Sequence, residues 1–131
     1  MPDQSFGKEL RVRKQAEFDR AYQARLFAAD DVLVVNGCAN GLEHPRLGLS
    51  VSKKAGNAVV RNRWKRLIRE AFRLSKSELP AGIDLVVRPQ KEAAEPEFEV
   101  IRRSLLALAK RIAKKARSQG TGIRSQSGHA S

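Results

Sequence analysis

The sequence contains a single cysteine, Cys38, and only two histidines, His44 and His129. One cysteine excludes an intrachain disulfide, and three Cys and His residues are too few for a zinc site built from four such ligands. No apolar run approaches the roughly 18 residues of a transmembrane helix, and residues 1–14 lack the apolar core of a signal peptide. These absences predict a cytoplasmic protein without a membrane partner.

Acidic residues are scarce relative to basic ones. The chain of 131 residues has 14 Asp and Glu against 26 Lys and Arg, a formal net charge of +12. Such a charge predicts a polyanionic partner, with nucleic acid ahead of an anionic membrane surface. Residues 46–73 hold nine basic side chains and one acid, and residues 102–117 hold seven basic side chains and no acid. This segregation indicates a basic face.

An evident catalytic set is also missing. We find no Ser-His-Asp or Cys-His arrangement and no paired carboxylates of the kind that catalytic sites use. We therefore expect no catalytic residue, no metal ligand and no small-molecule substrate, and any chemistry that the protein serves must come from a partner. Cys38, without an evident partner, is expected to be a small buried residue.

What the sequence does contain is a clear order of secondary structure, α-β-β-β-α-β-α. Helical spacing predicts a short helix at residues 14–24, and two longer helices beginning at Asn57 and Pro96. Alternating or continuous apolar residues predict the strands, at 25–28, 31–39, 46–52 and 83–89.

This order predicts an α+β two-layer sandwich with a central mixed four-stranded sheet. The strands at 46–52 and 83–89 flank a helix and can therefore lie parallel, in a crossover that general experience makes right-handed. Residues 10–117 are predicted to form a single domain, which the charge makes a nucleic-acid-binding one, preceded by a flexible arm at 1–9. The Ser/Gly-rich tail at 118–131 is predicted to be disordered.

The helix from Asn57 has an apolar arc and an adjoining basic arc. An ordinary surface helix mixes Lys with Glu in i,i+4 pairs, but Glu70 is the only acid here. Arginine dominates, and its planar guanidinium suits phosphate contact and base stacking, so nucleic-acid binding is favoured. Asn62, an amide among arginines, either contacts a base edge or ribose or caps the local backbone. The basic arc comprises Arg61, Asn62, Lys65, Arg66, Arg69 and Arg73.

The loop before this helix carries Lys53, Lys54 and Gly56. The amides at a helix start can bind phosphate, although an ordinary strand-to-helix loop explains the same residues.

Two aromatic residues, Phe18 and Tyr22, lie on one side of the first helix. Core packing is the simpler explanation, and a platform for single-stranded bases is the alternative. The polar strand face with Ser50 and Ser52 would then form the floor of the same groove.

Residues 50–73, SVSKKAGNAVVRNRWKRLIREAFR, closely resemble the signature of the bacterial ribonuclease P protein component, S-K-K-x-G-x-A-V-x-R-N-R-x-K-R followed by R-E-x-F. The resemblance also takes in EFDRAYQ, RLGLSVS and DLVVRP. It implies an accessory subunit of the enzyme that removes the 5′ leader from precursor tRNA, in a 1:1 complex with a catalytic RNA that uses magnesium. It also implies a left-handed β-α-β crossover, against the general rule.

Matched position by position, the resemblance assigns two sets of RNA contacts. Arg73 is added to the set that contacts the catalytic RNA, because it extends the basic arc. Val35 stands where some relatives place an aromatic residue on a strand, which would remove one stacking contact with the leader. Trp64 is a larger core residue than is common in the family. The contacts to the catalytic RNA are Lys53, Lys54, Arg61, Asn62, Arg63, Lys65, Arg66, Arg69 and Arg73. The contacts to the leader, between the first helix and the sheet, are Phe18, Tyr22, Ser50, Ser52 and Arg88.

Three other functions remain open on the sequence. A structural RNA-binding protein, such as a ribosomal protein, fits the composition and the basic helix equally well. A DNA-binding protein would insert the basic helix into the major groove, but this helix follows a strand and not a short helix and turn. A metal-dependent nuclease would need an acidic cluster, which the basic regions lack.

Overall fold

The computed structural model describes residues 10–90 and 95–119, so the predicted arm at 1–9 and the tail from residue 120 lie outside the described residues. The predicted order of elements is confirmed. The third helix begins at Phe98 and not at Pro96, and it continues past residue 117. The elements are α1 (Gln15–Gln23), β1 (Leu26–Ala29), β2 (Leu33–Ala39), β3 (Arg46–Leu49), α2 (Ala58–Ser75), β4 (Ile83–Pro89) and α3 (Phe98–Gln119).

The four strands form one mixed sheet in the order β1-β2-β4-β3. Strand β2 is antiparallel to β1 and β4, whereas β3 is parallel to β4. The predicted β-α-β unit therefore exists as β3-α2-β4, and its left hand stays a prediction. The outer edge of β3 is covered by the segment before α1, where the Val12 amide donates to the Leu47 carbonyl at 2.9 Å.

The two faces of the sheet are covered by different helices. Adjacent strand residues point to opposite faces, so Gly37 and Cys38 on β2 face different neighbours. A Cβ at Gly37 would lie 2.8 Å from the Ile112 side chain of α3, so glycine permits the close approach of α3. Cys38 is buried with Ala21 of α1, and burial raises the pKa of its thiol. Helix α1 thus lies on the face opposite α3.

The main core lies between the sheet and helices α2 and α3. The sheet and this pair of helices are the two predicted layers, and α1 covers part of the opposite face of the sheet. Trp64 is 3% exposed, which supports its interpretation as a core residue. Leu74, which the periodicity places on the apolar arc of α2, is instead 51% exposed, because it lies at the solvent margin of that arc. Among the described residues, no helix is long and apolar enough to cross a membrane.

Candidate nucleic-acid interface

Helix α2 presents the basic arc to solvent. Asn62, Arg66 and Arg69 are exposed, and Lys65 is half-buried. The opposite side of α2 packs into the core through Trp64 and neighbouring apolar residues. The core therefore holds the arc outward as one surface along the helix.

Two members of the arc also have partners within the chain. The Arg61 Nε donates to the Gly56 carbonyl at 3.2 Å, which ties the first turn of α2 to the preceding loop. Arg73 forms an ion pair with Glu70. Arg61 and Arg73 therefore already make polar contacts within the protein, whereas Arg66 and Arg69 are exposed to solvent.

Arg63 and Asn62 differ from the other predicted contacts. Arg63 is exposed, but i+4 spacing sets it beside Val59, which is 76% exposed, and outside the arc. Helix capping is performed by Asn57, whose Oδ1 accepts from the Val60 amide at 3.0 Å. The capping role that the sequence left open for Asn62 therefore belongs to Asn57, and Asn62 is exposed.

The loop before α2 is a short 3-10 turn at Lys53–Ala55. Ser52 begins it, with its Oγ accepting from the Lys54 amide at 3.3 Å. Gly56 ends it with φ of 138°, a left-handed conformation that side chains rarely adopt. Both lysines of the turn are exposed, so the turn adds two charges at the N-terminal end of the basic arc.

A depression of about 350 Å³ opens on the α1 face of the sheet, beyond α1. It brings together three residues predicted to contact the leader, Ser50, Ser52 and Arg88, with Lys54 of the loop. The remaining lining residues are Val34, Ala55, Pro89 and Gln90. We call this depression the groove. Because Lys54 belongs to both the groove and the basic turn, the two surfaces are continuous.

Phe18 and Tyr22, the other two residues predicted to contact the leader, lie on α1 and are not among the residues that line the groove. A Cβ at Gly48 would lie 3.0 Å from the Phe18 ring, so the ring rests directly on β3. Phe18 is half-buried against the cluster of Ala21 and Cys38, whereas Tyr22, one turn later, is 37% exposed. Phe18 therefore serves packing and leaves part of its ring open, and Tyr22 is the more accessible aromatic.

Strand β2 faces the groove with residues other than Val35. Val35 is fully buried in the core beneath α3, so it cannot represent a missing groove contact. The register pairs Asn36 with Val86, and Val34 with Arg88, on the opposite face. The interpretation of Val35 as an absent leader contact was therefore wrong, because its side chain points to the other face of the sheet. Asn36 and Val34 are the β2 residues on the groove side.

An ion network holds α1 over the sheet, and sequence analysis missed it. Asp84 of β4 is fully buried and accepts from Arg46 at 2.8 and 2.7 Å. The same guanidinium reaches Glu17 of α1 at 3.2 Å, and Asn40 donates to Asp84 at 2.9 Å. A lone acid within the apolar strand IDLVVRP was the available signal, because a buried carboxylate needs a partner.

The protonation of this network follows from its hydrogen bonds. The pKa of Glu17 falls to about 2 because the amides of Arg13 and Lys14 donate to its carboxylate and Arg46 adds a positive charge. Hydrogen bonding to Asp84 raises the pKa of Arg46. Glu17 and Arg46 therefore stay ionised at neutral pH, and the start of α1 remains attached to the sheet.

The described residues do not gather a metal site. Within 10–90 and 95–119, no group of three or more His, Cys, Asp and Glu side chains is placed to hold an ion. The buried Asp84 is already engaged by Arg46 and Asn40. What the site offers is positive charge, hydrogen-bond donors and two aromatic rings, a set suited to binding a nucleic acid.

Known proteins share both the sequence and the fold. Residues 6–113 match the family model described as Ribonuclease P. The ribonuclease P protein component of Caldanaerobacter subterraneus subsp. tengcongensis is 40% identical over 104 residues, which cover 79% of this chain and 90% of the relative.

Solved structures extend the similarity to the backbone. The RNase P protein of Staphylococcus aureus has a TM-score of 0.69 and 42% identity, covering 80% of this chain and 95% of that one. The RNase P protein of Thermotoga maritima has a TM-score of 0.71 and 36% identity, covering 77% and 96%. The chain therefore belongs to the ribonuclease P protein component family, whose part in the cell is tRNA processing.

Proposed function

We propose that the chain binds the RNA subunit of ribonuclease P through α2 and the 5′ leader of precursor tRNA through the groove. One protein pairs with one RNA, in the cytoplasm, and the RNA subunit carries out the cleavage. The observation that carries the proposal is the continuity of the two surfaces at Lys54, which belongs to the basic turn and also lines the groove. One RNA complex can therefore lie across both.

The basic arc suits a folded RNA with closely spaced phosphates. Arg66 and Arg69 are exposed on a helix whose other side is anchored in the core. A guanidinium forms two parallel hydrogen bonds to a phosphate, which gives orientation as well as attraction. Asn62 lies exposed among these charges and can reach a ribose hydroxyl or a base edge. The other proposed contacts to the RNA subunit are Lys53, Lys54, Arg61, Arg63, Lys65 and Arg73.

The groove suits an unpaired strand. Its floor offers the hydroxyls of Ser50 and Ser52 and the guanidinium of Arg88. The Phe18 ring lies against Gly48, two residues before Ser50, and we propose that a strand leaving the groove continues along α1 to Phe18 and Tyr22. Bases of a single strand can stack on such rings without regard to sequence. A leader varies in sequence from one precursor to another, so contacts of this kind recognise its single-stranded character.

The chain contributes binding and not bond breaking. The described residues gather no acidic set for a metal, so we assign magnesium to the RNA subunit, where it would activate the attacking water. The protein's positive charge lowers the repulsion between two polyanions, the RNA subunit and its substrate. The protein should therefore matter most where magnesium, which also screens that repulsion, is low.

Reconstituted cleavage tests the proposal directly. At low magnesium, we expect the protein mixed with a bacterial ribonuclease P RNA to remove the leader from a 5′-extended precursor tRNA, while either component alone leaves it intact. The measurement is product formation on a denaturing gel. Cleavage by the protein alone would identify a nuclease in its own right, and an unchanged rate on adding protein would favour a structural RNA-binding role.

A Tyr22→Ala substitution separates leader binding from folding. We expect the holoenzyme affinity for leader-bearing precursor to fall by ~1–3 kcal/mol, the range for one lost base-aromatic stack, and its affinity for mature tRNA to stay the same. Phe18→Leu should act in the same direction while retaining apolar packing on Gly48. Equal losses for precursor and mature tRNA would show that the aromatic side chains act by packing only.

A further inference from the structure

Strand β1 carries an aromatic side chain that the core does not use. Phe27 is 53% exposed, between the buried Leu26 and Ala28. Its register partner on β2 is Asn36, so Phe27 lies on the same sheet face as the groove but at the opposite edge from β3. An exposed phenyl ring at a sheet edge has no role in the fold described above.

The neighbouring helix α3 places a positive charge beside this ring. The Lys115 Nζ donates to the Phe27 carbonyl at 2.6 Å and lies 5.4 Å from the centre of its ring. One turn earlier, Arg111 donates to the Ala29 carbonyl at 3.4 Å. Both side chains thus reach from α3 over the edge of β1. A cation at this distance from a ring is within the range of a favourable cation–π contact.

A second depression, of about 320 Å³, adjoins these side chains and is lined by Arg111, Lys114, Lys115 and Ser118. It lies within or next to the segment 102–117, which has seven basic residues and no acid. The function assigned to α2 and the groove leaves this charge unexplained. We call Phe27 together with the four lining residues the β1–α3 edge.

We propose that the β1–α3 edge is a second binding surface for single-stranded RNA, separate from α2 and from the groove. A base stacks on the exposed part of the Phe27 ring, and the adjoining phosphates contact Lys115 and Lys114. Arg111 supplies a further charge beside the strand edge. The combination of an exposed ring with basic side chains is the one that single-stranded nucleic acids use on other proteins.

Protection of a strand edge explains only part of the arrangement. Lysine at an edge discourages pairing with another chain, and Lys115 and Arg111 do occupy two of the β1 carbonyls. That same occupation disfavours a protein partner that would add a strand to β1. Edge protection does not require an exposed Phe27, however, because a polar residue at this position would keep the strand edge hydrated more effectively. The ring and the charge together point to a ligand with bases and phosphates.

The test uses the free protein and a fluorescein-labelled 12-nucleotide oligouridine, followed by anisotropy. We expect Phe27→Ser to weaken binding by ~5- to 10-fold, as the loss of one stack implies. Lys115→Gln should reduce the salt dependence of binding by about 0.7 log units per log unit of salt. Leu42→Ser is the matched control, because Leu42 is an exposed apolar residue in the connection between β2 and β3, and it should change neither quantity.

Binding experiments with the holoenzyme identify which RNA supplies the single-stranded segment. Precursors with short and long leaders are compared, and the RNA subunit is titrated alone. A Phe27→Ser defect confined to long leaders assigns the surface to the upstream leader, whereas a defect in binding the RNA subunit assigns it to an unpaired segment of that RNA. Either result supports the proposal.

Two outcomes would overturn it. Oligouridine affinity that is unchanged in both Phe27→Ser and Lys115→Gln, with circular dichroism showing folded proteins, would leave edge protection as the only role. Binding of anionic phospholipid vesicles that depends on Phe27, with oligouridine binding intact, would assign the surface to a membrane. The outcome is independent of α2 and the groove, since Arg66→Ala and Tyr22→Ala report on those surfaces separately.

Discussion

The double substitution Arg66→Ala/Arg69→Ala is expected to weaken binding of the RNA subunit by about 100-fold or more. Each arginine is exposed on α2, and a hydrogen bond to a charged group contributes roughly 1.5–3 kcal/mol. Removing two phosphate contacts should also reduce the slope of log affinity against log salt by about 1.8, because fewer counterions are released. Filter binding or anisotropy over a series of salt concentrations measures both quantities.

A matched control separates this effect from net charge. Arg103→Ala removes an exposed arginine from α3, outside α2, the groove and the β1–α3 edge, and should leave the affinity nearly unchanged. The free energy of unfolding of the double variant should stay the same or rise slightly, since like charges on one helix repel. An unchanged RNA affinity and salt slope in the double variant would remove α2 from the interface.

The substitution Asp84→Ala is expected to lower the free energy of unfolding by about 3–5 kcal/mol. Asp84 is fully buried, and Arg46 retains only 14% of its side-chain exposure. Without the carboxylate, the guanidinium is left in a desolvated place with Glu17 as its remaining ionic partner. Urea denaturation followed by circular dichroism measures the change.

The same substitution should affect the two proposed RNA surfaces unequally. Arg46 joins Asp84 to Glu17 of α1. Once Arg46 is no longer held by Asp84, α1, which carries Phe18 and Tyr22, is attached less firmly to the sheet. Leader-dependent affinity should therefore fall, while binding of the RNA subunit through α2 changes little at temperatures where the variant is folded. Replacing the pair together, as Arg46→Met/Asp84→Leu, should recover much of the stability, because no fully buried charge is left and Glu17 keeps the hydrogen bonds from the Arg13 and Lys14 amides. If the double variant lost as much stability as Asp84→Ala, the unpaired charge of Arg46 would not be the cause of the loss.

Local pattern was sufficient for the elements whose signals lie close together in the chain. The apolar and basic arcs of α2 arise from a single helical period, so both could be predicted without knowledge of the neighbours. Strand β4 was predicted at residues 83–89 and is found there, because a continuous apolar run ends at a proline. The gathering of Ser50, Ser52 and Arg88 also followed from the resemblance, and the groove brings them together.

Contacts between distant segments could not be predicted in the same way. Arg46 and Asp84 are 38 residues apart in sequence, and only the parallel pairing of β3 with β4 brings them side by side. Val35 and Asn36 are neighbours, yet one lies in the core and the other on the groove side, and register alone decides which. A sequence shows that a strand alternates, but not against which helix each face packs.

The sequence by itself determined the charge, the order of elements and the family signature of α2, because these depend on composition and short-range periodicity. Only the tertiary structure decided that Lys54 joins the basic turn to the groove, that an ion network holds α1 in place, and that Lys115 of α3 lies over Phe27 of β1. The reason is physical: burial and long-range pairing depend on how the sheet and helices pack, and one-residue shifts in register or small changes in helix position reassign every such contact.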